Sequence, residues 1–311
     1  MRTRGAHDDY EVFCEGVRGL CQVDLGQYKR GQMERRIRSF AHRRGSDGLH
    51  EYLTVLRREP SELEDFLDRM TINVSQLWRN PEQWALIGDS ILPELASGGR
   101  GITAWSAGCS YGAEAYTLAA LCRENSARAT IRGTDIDRRM VERARQGRFS
   151  DEDARTAPRG LLERHFARVE GGWRALIDLQ AMCRFEVGDL LRMSVPAGRL
   201  DLVLCRNTVI YFTDEVRNAL HGRLARALRP GGYLIIGSTE RVQDPREMDL
   251  TPPTRSSTAR PEPSWTSPST CRCSWPRRAS TSRSSTWPSS GSRRPPTISR
   301  RSTRSSASPT P

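Results

Sequence analysis

The chain has 311 residues, which is long enough for two domains and a sizeable buried core. Its formal net charge of +12 sits at one end: residues 251–311 hold eleven Arg and one Glu, so residues 1–250 are near neutral and give no nucleic-acid signature. The eight Cys include no C-x-x-C pair, the five His add no ligand cluster, and neither a leader-like apolar segment nor a membrane-length apolar run occurs, so no metal, no disulfide framework and a cytoplasmic location are expected.

Residues 1–82 read as a helical domain. From Tyr28 to Arg44, Met33, Ile37, Phe40 and Ala41 fall on one stripe, while Lys29, Arg35, Arg36, Arg38 and Arg43 lie largely elsewhere on the same helix. Leu49–Leu56 predicts the next helix. Pro60–Met70 predicts a third, with Ser61 as N-cap, Glu64 at the capping-box position and Leu63, Phe66, Leu67 and Met70 on one face.

Residues 83–250 alternate strand and helix. Strands are expected at 102–106, 130–134, 184–188, 200–205 and 233–237, and helices at 83–97, 112–124, 137–146 and 214–228. Leu228–Gly232 reads as a tight turn. Such alternation predicts an α/β fold with a parallel sheet covered on both faces. The stretch 165–183, with Gly171-Gly172 between short mixed runs, predicts a small inserted β-hairpin. Residues 251–311 contain no Leu, Val, Phe or Tyr and are rich in Ser, Arg, Pro and Thr, which predicts a disordered tail. The change is abrupt, as an out-of-frame translation would produce. An apolar strand encoded in another frame of the gene would support that reading, and its absence from both would refute it.

Chemistry concentrates after the first strand. Gly108, Ser110 and Gly112 form a small-residue turn against which a flat ligand can lie, with backbone amides free to donate. The next apolar run ends in Asp135, where dinucleotide-type folds place an acid on ribose hydroxyls. Asn207 and Tyr211 follow the apolar strand Leu200–Leu204, at the edge that lines the crevice of a parallel sheet.

Four blocks in this order resemble the chemotaxis receptor methyltransferase (CheR) family over roughly residues 10–250. Thr71–Arg79 is similar to T-x-N-x-T-x-F-F-R, with Leu77-Trp78 in place of Phe-Phe. Trp105–Tyr116 is similar to W-S-A-x-C-S-x-G-E-E-P-Y, with Ala113 for the first Glu and Ala115 for Pro. Thr134–Asp137 and Cys205–Phe212 match closely, the latter being the family's most distinctive string.

The resemblance implies a Rossmann-like class I methyltransferase sheet, with S-adenosyl-L-methionine as methyl donor and glutamate side chains of chemoreceptors as acceptors, giving methyl esters. It implies donor contacts from Asn73, Ser75, Arg79, Ala107, Gly108, Glu114, Asp135, Ile136, Asp189, Leu190, Asn207 and Thr208, with Arg79 and Tyr211 orienting the acceptor. Glu114 would face the donor's amino group and Asp189 the adenine. The basic helix 29–44 would dock on the acidic helical region of the receptor's cytoplasmic part, so that membrane contact comes only through the receptor. Two other readings keep the donor site: methylation of another signalling protein, or donor binding without turnover. A nucleic-acid acceptor is disfavoured, because the near-neutral body lacks an Asp-Pro-Pro-Tyr style string.

Overall fold

The N-terminal helices form where apolar residues recur at three- and four-residue spacing and can share one core. The computed structural model describes residues 8–21, 23–70, 74–251 and 270–273, all within one unit. Helices α1 (Asp9–Cys21), α2 (Arg30–Arg43), α3 (Leu49–Arg58) and α4 (Pro60–Met70) pack around Phe13, Ile37, Tyr52 and Phe66. The Phe13 ring stacks on Tyr52 at 6.2 Å and meets Phe66 edge-on at 5.7 Å. Gly16 lets α1 and α3 approach this closely, since a Cβ there would lie 2.4 Å from a Leu53 methyl. Helix α4 begins at Pro60, one residue before the expected cap. Proline suits the first helical position because its missing N–H would be unpaired there anyway.

A continuous helical stretch follows, α5 (Pro81–Leu86) and α6 (Leu92–Ala96), joined by a wider π turn at Ile87–Ile91. The wide turn lies just before Pro93, which has no N–H to donate. The sheet domain then runs β1 (Ile102–Ala107), α7 (Ala113–Glu124), β2 (Ala129–Asp135), α8 (Arg138–Gln146), β3 (Arg148–Ser150), α9 (Arg159–His165), β4 (Phe166–Val169), β5 (Gly172–Ala175), α10 (Ile177–Met182), β6 (Cys183–Val187), β7 (Leu200–Cys205), α11 (Asp214–Ala227), β8 (Leu228–Ile236), β9 (Leu250–Thr251) and β10 (Thr270–Cys273).

The main sheet has the order β6–β2–β1–β7–β8–β10–β9, parallel through β8, with β10 antiparallel to both its neighbours. Its central strands β1, β7 and β8 are largely apolar because both faces are covered, whereas the outer β2 and β6 carry Arg132, Arg184 and Glu186. Ala104, Leu202, Leu204, Tyr233 and Ile235 face the core that contains α7, whereas Trp105, Val203, Cys205, Leu234 and Ile236 face the core under α11. Truncating one of these fully buried leucines to Ala costs about 2–5 kcal/mol.

Three sequence expectations change here. The Leu228–Gly232 stretch lies inside β8: Leu228 pairs with Leu200 and Tyr233 with Leu202, so Arg229–Gly232 bulges between two pairings. The inserted hairpin is the β4–β5 pair of a three-stranded antiparallel sheet whose other strand, β3, lies outside the expected 165–183. Within the tail expected to be without structure, Thr270–Cys273 supplies the sheet's antiparallel strand, with Cys271 and Cys273 buried on the α11 face. Backbone pairing to β8 needs little from the side chains, which is why so short a polar segment gave no strand signal. Residues 252–269 and 274–311 lie outside the described residues.

Among the described residues, hydrogen bonds and ion pairs join the α1–α4 bundle to the sheet domain at two places. Tyr28 forms an antiparallel bridge with Phe212, in which Lys29 N–H donates to the Tyr211 carbonyl (2.8 Å) and Thr213 N–H to the Gln27 carbonyl (3.0 Å). Arg139 on α8 is also clasped by Glu64, Asp65 and Asp68 of α4. Tyr28 is therefore not the start of α2, because the Lys29 amide is committed to the sheet domain. No helix among the described residues is long and apolar enough to cross a membrane.

Candidate functional site

At the C-terminal edge of the sheet, the loops after β1, β2, β6 and β7 open into a cleft of about 1120 Å³, roofed by the segments around Tyr28 and Arg79. Ser75, Arg79, Gly108, Glu114, Asp135, Ile136, Asp189, Leu190, Asn207, Thr208 and Tyr211 all line it. Ala107 is fully buried at the end of β1 and does not line the cleft; its neighbour Gly108 does. Asn73 lies outside the described residues.

The cradle after β1 is fixed by its backbone. Gly108 (φ 79°) and Cys109 both donate their N–H to the Thr134 carbonyl, at 2.9 and 3.0 Å. A Cβ on Gly108 would lie 2.4 Å from Thr208 Oγ1, so only glycine fits between the two loops. Asp135, almost wholly buried at the end of β2, accepts from Ser110 N–H (2.7 Å) and Asp137 N–H (3.0 Å). Burial raises its pKa while these amides hold the charged form. A carboxylate offers about four lone-pair sites, so acceptor capacity remains beyond these amides. The N-cap of α8 is Asp137, which receives Arg139 and Met140 N–H, so Asp135 is not spent on capping.

Asp189 both lines the cleft and orders its own turn, accepting Leu191 N–H at 2.8 Å. Asn207 (φ 57°) is held from beneath by Glu240, whose Oε2 accepts the Asn207 N–H (3.0 Å) and Gly237 N–H.

Glu114 sits in the first turn of α7, where the helix dipole favours an acid. Its Oε1 accepts from Ser106 Oγ (2.7 Å) and its Oε2 from Arg206 Nη1 (3.2 Å). Burial pushes the carboxyl upward, opposed mainly by the Arg206 charge. Arg206 was read only as part of the Cys205–Phe212 string, and its role was missed. A guanidinium directly after an apolar strand was the available signal.

Arg79 donates to the Val74 carbonyl (2.7 Å) and makes no ion pair among the described residues. Its flanks Trp78 (φ 55°) and Asn80 (φ 60°) are left-handed, a conformation that costs about 1–3 kcal/mol for an ordinary residue and persists where surroundings impose it. Thr117 Oγ1 accepts the Trp78 N–H (3.1 Å), and the Arg79 carbonyl accepts both Trp84 Nε1 (2.9 Å) and Arg206 Nη2 (2.6 Å). Burial raises the Tyr211 pKa, with Arg36 and Arg79 opposing, so at neutral pH its hydroxyl stays protonated and can donate.

A second, basic groove of about 970 Å³ adjoins the cleft and shares Tyr28 and Tyr211 with it. Lys29, Arg35, Arg36, Arg43 and Arg69 line it and form no ion pair among the described residues. On the same helix, by contrast, Arg30 and Arg38 are neutralised by Asp8, Asp9, Glu11 and Glu34.

Two family models match the chain. The all-alpha domain of CheR methyltransferase covers residues 8–71 and the CheR methyltransferase SAM-binding domain residues 73–256. A chemotaxis protein methyltransferase of Listeria monocytogenes is 34% identical over 247 residues, spanning 78% of this chain and 93% of that protein. Chemotaxis protein methyltransferase 1 of Pseudomonas aeruginosa is 29% identical, spanning 77% and 92%. The cleft suits the donor these matches imply, with a glycine cradle, a buried acid that has spare acceptor capacity, and a helix-terminal carboxylate. The chain belongs to the CheR methyltransferase family and is an S-adenosylmethionine-dependent methyltransferase of chemotaxis.

Proposed function

We propose that the enzyme esterifies glutamate side chains in the cytoplasmic helical region of a chemoreceptor. The observation that carries this reading is the Arg79 guanidinium on the wall of the donor cleft, which forms no ion pair among the described residues and lies beside a basic groove that shares Tyr211 with the cleft. An acceptor glutamate has an ordinary pKa near 4.3 and is already ionised at neutral pH, so no general base is required. Arg79 can hold that carboxylate through two parallel hydrogen bonds, and the Tyr211 hydroxyl can donate a third. S-adenosylmethionine supplies an electrophilic methyl group. The residues of this chain then act by placement: Asp135 receives the ribose hydroxyls, Glu114 faces the ammonium, Asp189 the adenine, and Asn207, Thr208 and Gly108 close the walls. In-line alignment of this kind supplies on the order of several kcal/mol of the barrier reduction.

The basic groove fits an acidic helical partner. Its cations form no ion pair among the described residues, so an acidic surface would be drawn to them over about one Debye length, ~8 Å at physiological salt. The test incubates the full chain with methyl-labelled S-adenosylmethionine and chemoreceptor-containing membranes, then measures methanol released by mild alkali. Release above a no-enzyme control is expected. Transfer of label that resists alkali would place the methyl group on nitrogen and overturn the ester reading.

A further inference from the structure

Arg206 joins the two halves of the site. Its guanidinium is almost wholly buried and every arm is engaged: Nε donates to Gln83 Oε1 (2.8 Å), Nη1 to Glu114 Oε2 (3.2 Å), and Nη2 to the Arg79 carbonyl (2.6 Å) and Asn80 Oδ1 (3.2 Å). The plane lies over the Trp84 ring at 4.9 Å, and Gln83 is itself tied to β8 through the Ile236 carbonyl (3.0 Å). One side chain thus holds a donor-facing carboxylate and the backbone that presents the acceptor-facing Arg79.

We propose that Arg206 is a positioning residue that fixes Glu114 and the left-handed Trp78–Asn80 turn in a single frame, so that donor and acceptor are aligned by the same guanidinium. The inference rests on the proposed roles of Glu114 and Arg79. Two contributions can be separated. The charge of Arg206 favours the ionised form of Glu114 against the pull of burial, and its fork holds the Arg79 turn. A lysine would keep the first and lose the second, because a point charge cannot reach Gln83, Asn80 and the Arg79 carbonyl together.

The charged and titratable groups around Glu114 are Arg206 after β7, Arg79 in the preceding turn, Glu240 after β8, Cys109 after β1 and Cys205 at the end of β7, with Glu82 of α5 facing Arg206. Burial already raises the Glu114 pKa, and Arg206 is the largest opposing influence. Without it, Glu114 takes up a proton at higher pH and can no longer face an ammonium as an anion.

The experiment measures S-adenosylmethionine affinity by calorimetry between pH 7.5 and 5.5 for the full-length wild type, Arg206→Met, Arg206→Lys, Glu114→Gln and the Met/Gln double variant. It also measures steady-state methyl transfer to chemoreceptor membranes. The ratio of Arg206→Met to wild-type Kd is expected to widen as pH falls. Taking the ratio cancels titration of the donor and of Asp135. The double variant should show no more pH dependence than Glu114→Gln alone. Arg206→Lys should bind donor within a few fold of wild type at every pH, yet turn over ~10-fold more slowly.

A pH-independent ratio would overturn the charge role, and wild-type turnover in Arg206→Lys would overturn the positioning role. If Arg206→Met does not fold, the lysine variant decides by its separation of affinity from turnover. Expected binding profiles with no transfer by the wild type would instead count against the receptor-glutamate reading while leaving the donor-side role of Arg206 in place.

Discussion

The donor cleft and the basic groove touch at Tyr28 and Tyr211 but are held together in opposite ways. On the donor side of the cleft Asp135 and Glu114 are buried and already engaged, Asp135 by backbone amides and Glu114 by Ser106 and Arg206, while Arg79 on the facing wall forms no ion pair among the described residues. In the groove the cations are exposed or half-exposed and unneutralised, although acidic residues satisfy Arg30 and Arg38 elsewhere on the same helix. Buried, hydrogen-bonded charges act at contact distance and set geometry, whereas open charges act at longer range and set encounter. Under the proposed function, alignment and recruitment are separated across a boundary formed by Tyr28 and Tyr211.

Substitutions should divide along that boundary. The largest effect is expected at Asp135→Ala. It removes an anionic acceptor for two hydroxyls at roughly 1.5–3 kcal/mol each, so donor Kd should weaken ~100-fold or more in calorimetry. A buried group outside both regions supplies a contrast of similar size. His221 on α11 is fully buried, neither ring nitrogen has a partner among the described residues, and burial lowers its pKa from 6.5 to about 4. The unfolded chain then binds the extra proton between pH 6.5 and 4, so this contribution to stability is complete above pH 6.5 and is lost on acidification, amounting to about 3 kcal/mol. His221→Met should remove that slope from denaturation curves while donor affinity at pH 7.5 stays unchanged. An unaltered slope would mean that protonation of His221 is accommodated in the fold.

Arg79→Ala should lower turnover by ~10–100-fold and leave donor Kd within a few fold. A normal turnover number would reduce Arg79 to a structural element. In the groove, Arg35→Glu with Arg43→Glu should reduce kcat/KM for receptor membranes about tenfold at low salt, through the encounter rate and with kcat little changed. The smallest effect is expected for Arg30→Gln with Arg38→Gln, which removes charges already paired within the chain. A loss there as large as in the groove would erase the distinction between the two sides of α2.

The donor cradle was legible because its determinants are local. A small-residue turn and the acid that ends the next strand fall within one strand–helix–strand unit, 23 positions from Gly112 to Asp135, and the central strands read as largely apolar runs. What escaped the sequence depended on distant partners. Tyr28 looks like the start of a helix until the Lys29 amide is seen donating to Tyr211, far along the chain. Arg206 looks like one letter of a motif until its donors are traced to Gln83, Asn80 and Glu114. Thr270–Cys273 carries almost no hydropathy signal, since its pairing is made by the β8 backbone. Glu64, expected to close a capping box, is instead recruited by Arg139 of the sheet domain.

The most direct test of the division between alignment and recruitment is the initial rate of methyl transfer to receptor membranes as a function of ionic strength. Wild type, Arg79→Ala and the Arg35→Glu/Arg43→Glu variant would be measured side by side. The wild-type rate should fall steeply with salt, Arg79→Ala should fall with the same steepness from a much lower starting rate, and the groove variant should be nearly flat. A salt-independent wild-type rate, or a groove variant as steep as wild type, would contradict the account.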